Sequence, residues 1–182
     1  RALSGLPPER VLVEPMRRNT AMAVGFAAQR ILVESPNAVM AVLPADHRIP
    51  DTAAFADAMR CAASAARSAD VLVTLGVKPT RPDTGYGYIQ VGGKADRAHP
   101  RLHAVRRFVE KPGSATARRY LRSGSYLWNA GIFVWNASTI MEEIETHAPA
   151  LSRALASLSG GKRLSNAKLR AAYHRAPSKP ID

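Results

Sequence analysis

The sequence contains one cysteine, Cys61, among its 182 residues. A single cysteine excludes a disulfide framework and a cysteine-based metal site. No apolar run approaches the ~20 residues that a membrane-spanning helix needs, and the start, Arg1-Ala2-Leu3-Ser4, has no signal-peptide architecture. These absences predict a cytoplasmic protein that does not insert into a membrane.

Acidic side chains are scarce, since 14 Asp and Glu stand against 26 Lys and Arg and give a formal net charge of +12. This charge favours an anionic partner, which could be nucleic acid, a membrane surface or a phosphate-rich small molecule. The sign of the charge does not choose among them. However, the basic residues lie singly or in pairs such as Arg106-Arg107 and form no dense basic arm, which argues against nucleic acid.

Apolar runs and amphipathic stretches alternate along the first half of the chain. The runs 11–13, 38–43 and 71–77 predict strands, and the stretches 20–33 and 51–68 predict the helices between them. This rhythm is typical of a parallel sheet whose faces are covered by crossover helices. With no low-complexity linker, residues 1–182 are expected to form a single domain.

The second half of the chain predicts two β segments, a helix, a buried strand and a further helix, at 88–91, 102–109, 114–123, 132–135 and 137–146. The tail, 149–176, is predicted to be mostly helical with a break at Gly160-Gly161.

Five polar patterns lie beside the apolar runs. Ligands of open α/β sheets bind beyond the carboxyl ends of the strands, so these positions are candidates for a site. The patterns are Glu14-Pro15-Met16-Arg17-Arg18-Asn19-Thr20-Ala21, Leu43-Pro44-Ala45-Asp46-His47, Thr84-Gly85-Tyr86-Gly87-Tyr88, Phe108-Val109-Glu110-Lys111-Pro112 and Trp128-Asn129-Ala130-Gly131-Ile132.

Each pattern has both a structural and a chemical interpretation. Asn19 or Thr20 can cap a helix, and a lone Asp46 is more often a turn residue than a ligand. A carboxylate at a strand end can also hold Mg²⁺, which fills the rest of its octahedron with water and phosphate oxygens. Glu110 and Lys111 can form a surface ion pair, or they can bind sugar hydroxyls and a phosphate.

Two further residue types fit a ligand. Gly85 and Gly87 let backbone amides approach a ligand closely, although glycines beside tyrosines also make a plain turn. A buried Asn129 needs hydrogen-bond partners, and ligand hydroxyls would serve.

In their identity and order the five patterns resemble the bacterial mannose-1-phosphate guanylyltransferases, over a span from Val11 to Asp182. The resemblance implies an α/β fold of the Rossmann-like, GT-A-like nucleotidyltransferase type, with a mixed, mostly parallel sheet flanked by helices. It also implies an enzyme that makes GDP-mannose and pyrophosphate from GTP and mannose 1-phosphate. Mg²⁺ would lie at the α-phosphate, and the sugar phosphate would attack in line.

Carried over residue by residue, the resemblance implies a set of roles. Asp46 and Lys111 would be catalytic, with Asp46 and Asp182 as metal ligands and Lys111 on the sugar phosphate. Gly87, Glu110 and Asn129 would contact the sugar, and the edge of the guanine pocket would be formed by Glu14, Arg18, Asn19 and Thr20.

Two parts of the family pattern are absent from these residues. A glycine-rich loop with its Arg and Lys would lie upstream of Arg1, and the C-terminal β-helical part is missing too, so the chain resembles an incomplete nucleotidyltransferase domain. Because that loop cradles the triphosphate, we expect the residues shown to have little activity alone.

Two alternatives to a working enzyme stay open. One is a catalytically inactive fragment or regulatory partner, and the other is a basic module that binds nucleic acid through charge. The presence of Asp46, Glu110, Lys111 and Asn129 favours a working site. The oligomeric state is left open, a homo-oligomer included.

Overall fold

The computed structural model describes residues 5–95, 99–159 and 164–182. They form two compact units: a helical unit, which runs up to Ala38 and resumes at Ala137, and a sheet unit, Val39–Asn136. All described strands belong to the sheet unit. The single domain over residues 1–182 stays a prediction.

The long strand β5 organises the sheet. The strands are β1 (Val39–Val42), β2 (Val73–Val77), β3 (Tyr88–Lys94), β4 (His103–Val109) and β5 (Tyr126–Asn136). β1, β2 and β3 each pair with β5, and β4 pairs with β3. One strand therefore fixes the positions of three others.

Strand direction differs from the expectation of a mostly parallel sheet, because every described pairing is antiparallel. β1 and β2 do run in the same direction, as the strand–helix–strand rhythm predicts. However, Phe133 and Val134 of β5 pair with both of them, so β5 lies between them. A local alternation pattern cannot reveal a strand inserted from far along the chain. The α/β class, with a sheet flanked by helices, is confirmed.

Helix α2, Thr52–Ser68, covers part of this sheet. Asp51 is its N-cap, and the carboxylate accepts a hydrogen bond from the N–H of Ala54 at 2.9 Å. The buried face of the helix is built of alanines, which allow the helix to approach the strands closely. The resulting core contains Ala62, Ala65, Ala66, Val73 and Val134.

Helix α3, Ser114–Ser123, packs an aromatic core against the sheet. Its buried Ala117 and Tyr120 join Tyr88 and Trp128 in one cluster. The helix ends at Gly124, whose φ of 65° is the left-handed conformation that glycine adopts at a helix end. This aromatic core lies directly beside the Asn129 motif.

Within the described ranges, the α-helices of the helical unit are α1 (Asn19–Glu34), α4 (Ala137–His147), α5 (Pro149–Ala156) and α6 (Asn166–Arg175). α1 packs on α4 and α5, where Gly25 lies against the side chain of Leu155. None of the helices in the described ranges is long and apolar enough to cross a membrane. The predicted break at Gly160-Gly161 lies outside the described residues.

The strand predicted at 11–13 is wrong. Residues 11–13 follow a short 3₁₀ turn, Pro8–Arg10, and pair with none of the described strands. Val13 is 73% exposed. β-branched residues favour a strand only where a neighbouring strand can satisfy their backbone groups, and no described strand does so here.

Candidate functional site

The predicted site residues divide equally between the two units. The sheet unit contains Asp46, Gly87, Glu110, Lys111 and Asn129, and the helical unit contains Glu14, Arg18, Asn19, Thr20 and Asp182.

Three motifs meet at one end of the sheet. Gly87 precedes the first residue of β3, Glu110 follows the last residue of β4, and those two strand ends pair with each other. β5 pairs with the same end of β3, and the N–H of Asn129 donates to the carbonyl of Gly87 at 2.8 Å. We call Gly87, Glu110, Lys111 and Asn129 the strand-end cluster.

Gly87 lies at the centre of this cluster, where a larger side chain would displace its neighbours. A Cβ added there would lie 2.7 Å from Oε2 of Glu110, 3.0 Å from Cζ of Phe108 and 3.4 Å from Cβ of Asn129. The carboxylate of Glu110 therefore lies directly over the backbone of Gly87. This close approach brings an acceptor oxygen and the Asn129 side chain to one point.

Glu110 and Lys111 supply opposite charges at the edge of the cluster. Nζ of Lys111 lies 3.3 Å from Oε1 of Glu110, and both side chains are more than half exposed. Such an exposed pair adds little to stability. A carboxylate can accept hydrogen bonds from hydroxyl groups, and an ammonium group can neutralise a phosphate.

The amide of Asn129 is held by two donors. Its Oδ1 accepts from the hydroxyl of Thr74 at 3.0 Å and from the N–H of Gly131 at 3.1 Å. Gly131 has a φ of 65° and lies in a bulge, because three residues of β5, 130–132, lie opposite the single residue Leu75 of β2. Thr74 was not among the predicted site residues, although a hydroxyl inside the apolar run 71–77 was a usable signal.

Asp46 lies in the turn that follows β1 and is exposed. Within the described ranges its carboxylate makes no hydrogen bond or ion pair. Pro44, in the same turn, approaches β5, because a Cβ added at Gly131 would lie 3.5 Å from its Cγ. The Asp46 turn therefore adjoins the segment of β5 that contains Asn129.

This carboxylate fits a hard cation such as Mg²⁺, which binds oxygen ligands and usually uses only one or two protein carboxylates. The described residues contain no group of three or more His, Cys, Asp or Glu side chains placed to hold a metal ion.

The loop before Gly87 is fixed by Asp83. Its carboxylate accepts from the N–H of Gly85 at 2.8 Å and pairs with the guanidinium of Arg81 at 2.7 Å. These contacts, the Gly85 hydrogen bond first, lower the pKa of Asp83. The hydroxyl of Tyr88 donates to the Asp83 carbonyl at 2.8 Å, and Arg81 lies 5.4 Å from the ring centre of Trp128. Neither Asp83 nor Arg81 was among the predicted site residues.

In the helical unit, the last residues of the chain run along the start of α1. The N–H of Ile181 donates to Oγ1 of Thr20 at 2.9 Å, and the N–H of Ala21 donates to the carbonyl of Lys179 at 3.1 Å. Asp182 therefore follows a segment that is held at the N-terminus of α1. Thr20 and Asp182 were predicted from opposite ends of the sequence.

Arg18 and Glu14 both face the end of α6. Arg18 donates from Nε to the carbonyl of Tyr173 at 2.6 Å and from Nη2 to the carbonyl of His174 at 3.4 Å. Burial first, and then the nearby Glu14 carboxylate, raise the pKa of the Tyr173 hydroxyl. The donors of Arg18 thus bind the backbone of the chain itself.

Backbone strain coincides with two predicted site residues. Among the described residues, the non-glycine positions with positive φ are Asn19, at 60°, and Lys111, at 43°. Asn19 is held there by its own Oδ1, which accepts from the N–H of Thr20 at 2.8 Å. Such conformations cost about 1–3 kcal/mol and cluster at functional sites.

Comparisons with known proteins agree with these motifs. A family model described as "Nucleotidyl transferase" matches residues 7–173. The chain is 46% identical over 160 residues to the xanthan biosynthesis protein XanB of Xanthomonas campestris pv. campestris, a match that covers 87% of this chain and 33% of that protein. It is 38% identical over 183 residues to a mannose-1-phosphate guanylyltransferase of Sinorhizobium fredii, a match that covers 98% of this chain and 35% of that protein.

A solved structure is similar as well. The crystal structure described as mannose-1-phosphate geranyltransferase from Thermus thermophilus matches with a TM-score of 0.82 and 36% identity, covering 95% of this chain and 48% of that one. The chain spans about a third of the length of the curated relatives that it matches.

Proposed function

Because the chain belongs to the nucleotidyl transferase family, we propose that it is the part of a mannose-1-phosphate guanylyltransferase that binds the sugar phosphate and the metal. The whole enzyme would transfer GMP from GTP to mannose 1-phosphate and release pyrophosphate. The observation that supports this most is the strand-end cluster, where residues from three separate motifs meet over Gly87. The name of the Sinorhizobium relative points to the same substrate.

The strand-end cluster offers the groups that a sugar phosphate requires. Glu110 would accept hydrogen bonds from the sugar hydroxyls, and the amide of Asn129 would bind a neighbouring oxygen. Lys111 would neutralise the phosphate that becomes the nucleophile. The reaction mainly requires two polyanions held in line, so no covalent protein nucleophile is needed.

Nucleotidyl transferases generally use a divalent metal ion, and we take Mg²⁺ as the ion in this protein. Asp46 would be one ligand, since its exposed carboxylate makes no bond within the described ranges. The role of Asp182 as a further metal ligand stays a prediction from the sequence. When bound, Mg²⁺ would neutralise charge at the α-phosphate of the nucleotide.

The start of α1 would form one edge of the guanine pocket, through Glu14, Asn19 and Thr20. Arg18 would support this edge indirectly, because its donors bind carbonyls at the end of α6. We expect its removal to loosen the pocket rather than to delete a contact with the base.

Isothermal titration calorimetry with GDP-mannose tests the proposal without requiring turnover. We expect binding in millimolar Mg²⁺ that weakens about tenfold or more in EDTA, since a metal bridge between carboxylate and phosphate is lost. Asp46→Ala should bind weakly in both conditions. Glu142→Ala, which removes an exposed carboxylate of α4 with no predicted role, is the matched control and should behave as the unmodified chain does.

Two results would contradict the proposal. One is GDP-mannose binding that is the same with and without Mg²⁺ and unaffected by Asp46→Ala. The other is salt-sensitive binding of arbitrary duplex DNA with no response to GDP-mannose, which would favour the nucleic-acid hypothesis.

A further inference from the structure

We propose that the sheet unit has a second anion site, formed by Gln90, Arg107, Arg119 and Tyr126, which binds the phosphate groups of a small molecule. We call these four residues the reverse-face patch, because they lie on the side of the sheet opposite to the strand-end cluster. The inference goes beyond the proposed function and does not depend on it.

The alternation of side chains along β3 separates the two sites. Tyr88 packs against Tyr120 of α3, and Gln90, two residues further along the strand, faces the same side of the sheet. A Cβ added at Gly87, the residue before Tyr88, would instead meet side chains of the strand-end cluster. The reverse-face patch therefore lies on the side that α3 covers in part.

The sheet brings three residues of the patch into one row. Gln90 of β3 pairs with Arg107 of β4 on one side and with Tyr126 of β5 on the other. Residues directly opposite each other on neighbouring strands point to the same face. Gln90 and Tyr126 are half-buried, and Arg107 is exposed. The row therefore has a half-buried floor and an exposed cation at its β4 end.

Helix α3 adds a second cation, Arg119, beside this row. The ring of Tyr126 stacks on the ring of Tyr120 with the ring centres 3.7 Å apart, and Cζ of Arg119 lies 5.8 Å from the centre of the Tyr120 ring. A guanidinium group held near an aromatic ring keeps its N–H donors available, and these can bind two phosphate oxygens at once. Arg119 thus reaches the stacked tyrosines from the helix.

The chain does not neutralise these two cations. β4 and α3 contain five arginines and no acidic residue. In the part of the chain that the structure describes, neither Arg107 nor Arg119 pairs with a carboxylate, whereas Arg81 and Arg101 of the same unit each pair with an aspartate. A bound anion would relieve the repulsion between the unpaired charges.

The hydroxyl of Tyr126 lies within the influence of both charges. Burial and then Tyr120 raise the pKa of this hydroxyl, and the charges of Arg107 and Arg119 act against that rise. Both guanidinium groups therefore favour a negative charge at the same place. Charged side chains on an edge strand often prevent pairing with other chains. That role explains an arginine on β4, but it does not explain a second arginine that approaches from α3.

A phosphate group fits the reverse-face patch better than a carboxylate does. Phosphate carries roughly two negative charges at neutral pH, which matches two unpaired guanidinium groups, whereas a carboxylate carries one. Arginine also binds phosphate through paired donors, and the amide of Gln90 is a further hydrogen-bonding group between the strands. The shared chemistry is a phosphate or diphosphate group, which inorganic pyrophosphate or a nucleotide would supply.

A titration of the isotope-labelled chain with inorganic pyrophosphate in EDTA, followed through its backbone amide resonances in NMR spectra, tests this inference. We expect the amides of the reverse-face patch to shift together. Arg107→Gln and Arg119→Gln should each raise the titration midpoint about tenfold, the usual effect of losing a hydrogen bond between charged groups. Their Tm values should change little, because both side chains are exposed.

Two control variants locate the effect. Arg118→Gln removes an exposed arginine of α3 that makes none of the contacts described for Arg119, and it should change the midpoint by less than about twofold. Lys111→Gln removes the cation of the strand-end cluster and should leave the midpoint of the patch amides unchanged. ADP is the second probe: an equal midpoint indicates that the phosphates alone are recognised, and a lower one indicates a nucleotide.

Four results would overturn the inference. They are patch amides that do not shift, a midpoint unchanged in Arg107→Gln and Arg119→Gln, an equal loss in Arg118→Gln, and shifts that disappear in Lys111→Gln. Duplex DNA that shifts the same amides at a lower phosphate concentration than pyrophosphate would also overturn it, in favour of a nucleic-acid surface. If GDP-mannose binding failed while pyrophosphate still shifted the patch, the proposed function would fall and this inference would stand.

Discussion

Replacing Gly87 with alanine probes the centre of the strand-end cluster by adding one methyl group. The added carbon would lie 2.7 Å from Oε2 of Glu110, where ordinary contact begins at 3.4 Å, so the carboxylate must move by about 0.7 Å or more. Gly87 is not among the described residues with positive φ, so alanine is compatible with the backbone. The methyl group therefore acts on the site and not on the turn.

The structure indicates a small effect on folding and a large effect on binding. The Glu110 side chain is 51% exposed, so it can turn into solvent at little cost. We expect a loss of stability below about 1 kcal/mol, which lowers Tm by about 2–4 °C or less in a chain of this size. A lost hydrogen bond to a charged group is worth about 1.5–3 kcal/mol, so GDP-mannose should bind about 10- to 100-fold more weakly.

The assay compares GDP-mannose and GDP affinities with thermal melting of the same samples. Gly93→Ala is the matched control, since Gly93 lies in β3, the strand that Gly87 precedes, and a Cβ there would have no neighbour within 4 Å. It should leave both affinities unchanged. Normal GDP-mannose binding by Gly87→Ala would refute the reasoning, because the point over Gly87 would then not hold the sugar.

Two further predictions concern stability and pH. Gly25→Ala should lower Tm by several degrees despite the better helix propensity of alanine, because its Cβ would overlap the fully buried Leu155, and overpacking of this kind costs about 1–3 kcal/mol. An unchanged or higher Tm would contradict this packing. The N–H of Gly85 and then Arg81 lower the pKa of Asp83 below its ordinary 3.8. The stability that the ionised carboxylate gives to the loop is therefore complete above pH 3.8, and it is lost as the pH falls through the lowered pKa of the folded protein. Tryptophan fluorescence should report release of this loop in acid, and Asp83→Asn should show the released state at neutral pH; a pH profile unaffected by Asp83→Asn would contradict it.

The sequence predicted the elements of this fold well where periodicity is local. The helix at 114–123 has the bounds that were expected, and the glycine-rich loop ends where β3 begins. The order and pairing of the strands could not be predicted from the sequence. Antiparallel pairing of β5 with β1, β2 and β3 depends on contacts between distant residues, which hydrophobic patterns do not record.

The candidate site was predicted to a similar extent. Motif identity singled out Gly87, Glu110 and Asn129, and the structure brings these three together. The motifs could not single out Thr74 or Asp83, because the importance of these residues arises from what they contact. A threonine in a strand or an aspartate in a loop is common on its own.

The shared strand β5 has a consequence for how this protein would discriminate among ligands. The strand-end cluster is built on neighbouring strands of one hydrogen-bonded sheet. Gly87, Asn129 and Thr74 therefore cannot shift independently without breaking backbone hydrogen bonds of the sheet. Such a surface is preorganised and would lose little conformational entropy when a ligand arrives. A sugar of the wrong shape could not be accommodated by adjustment of these strands, and its poor fit would appear as faster dissociation.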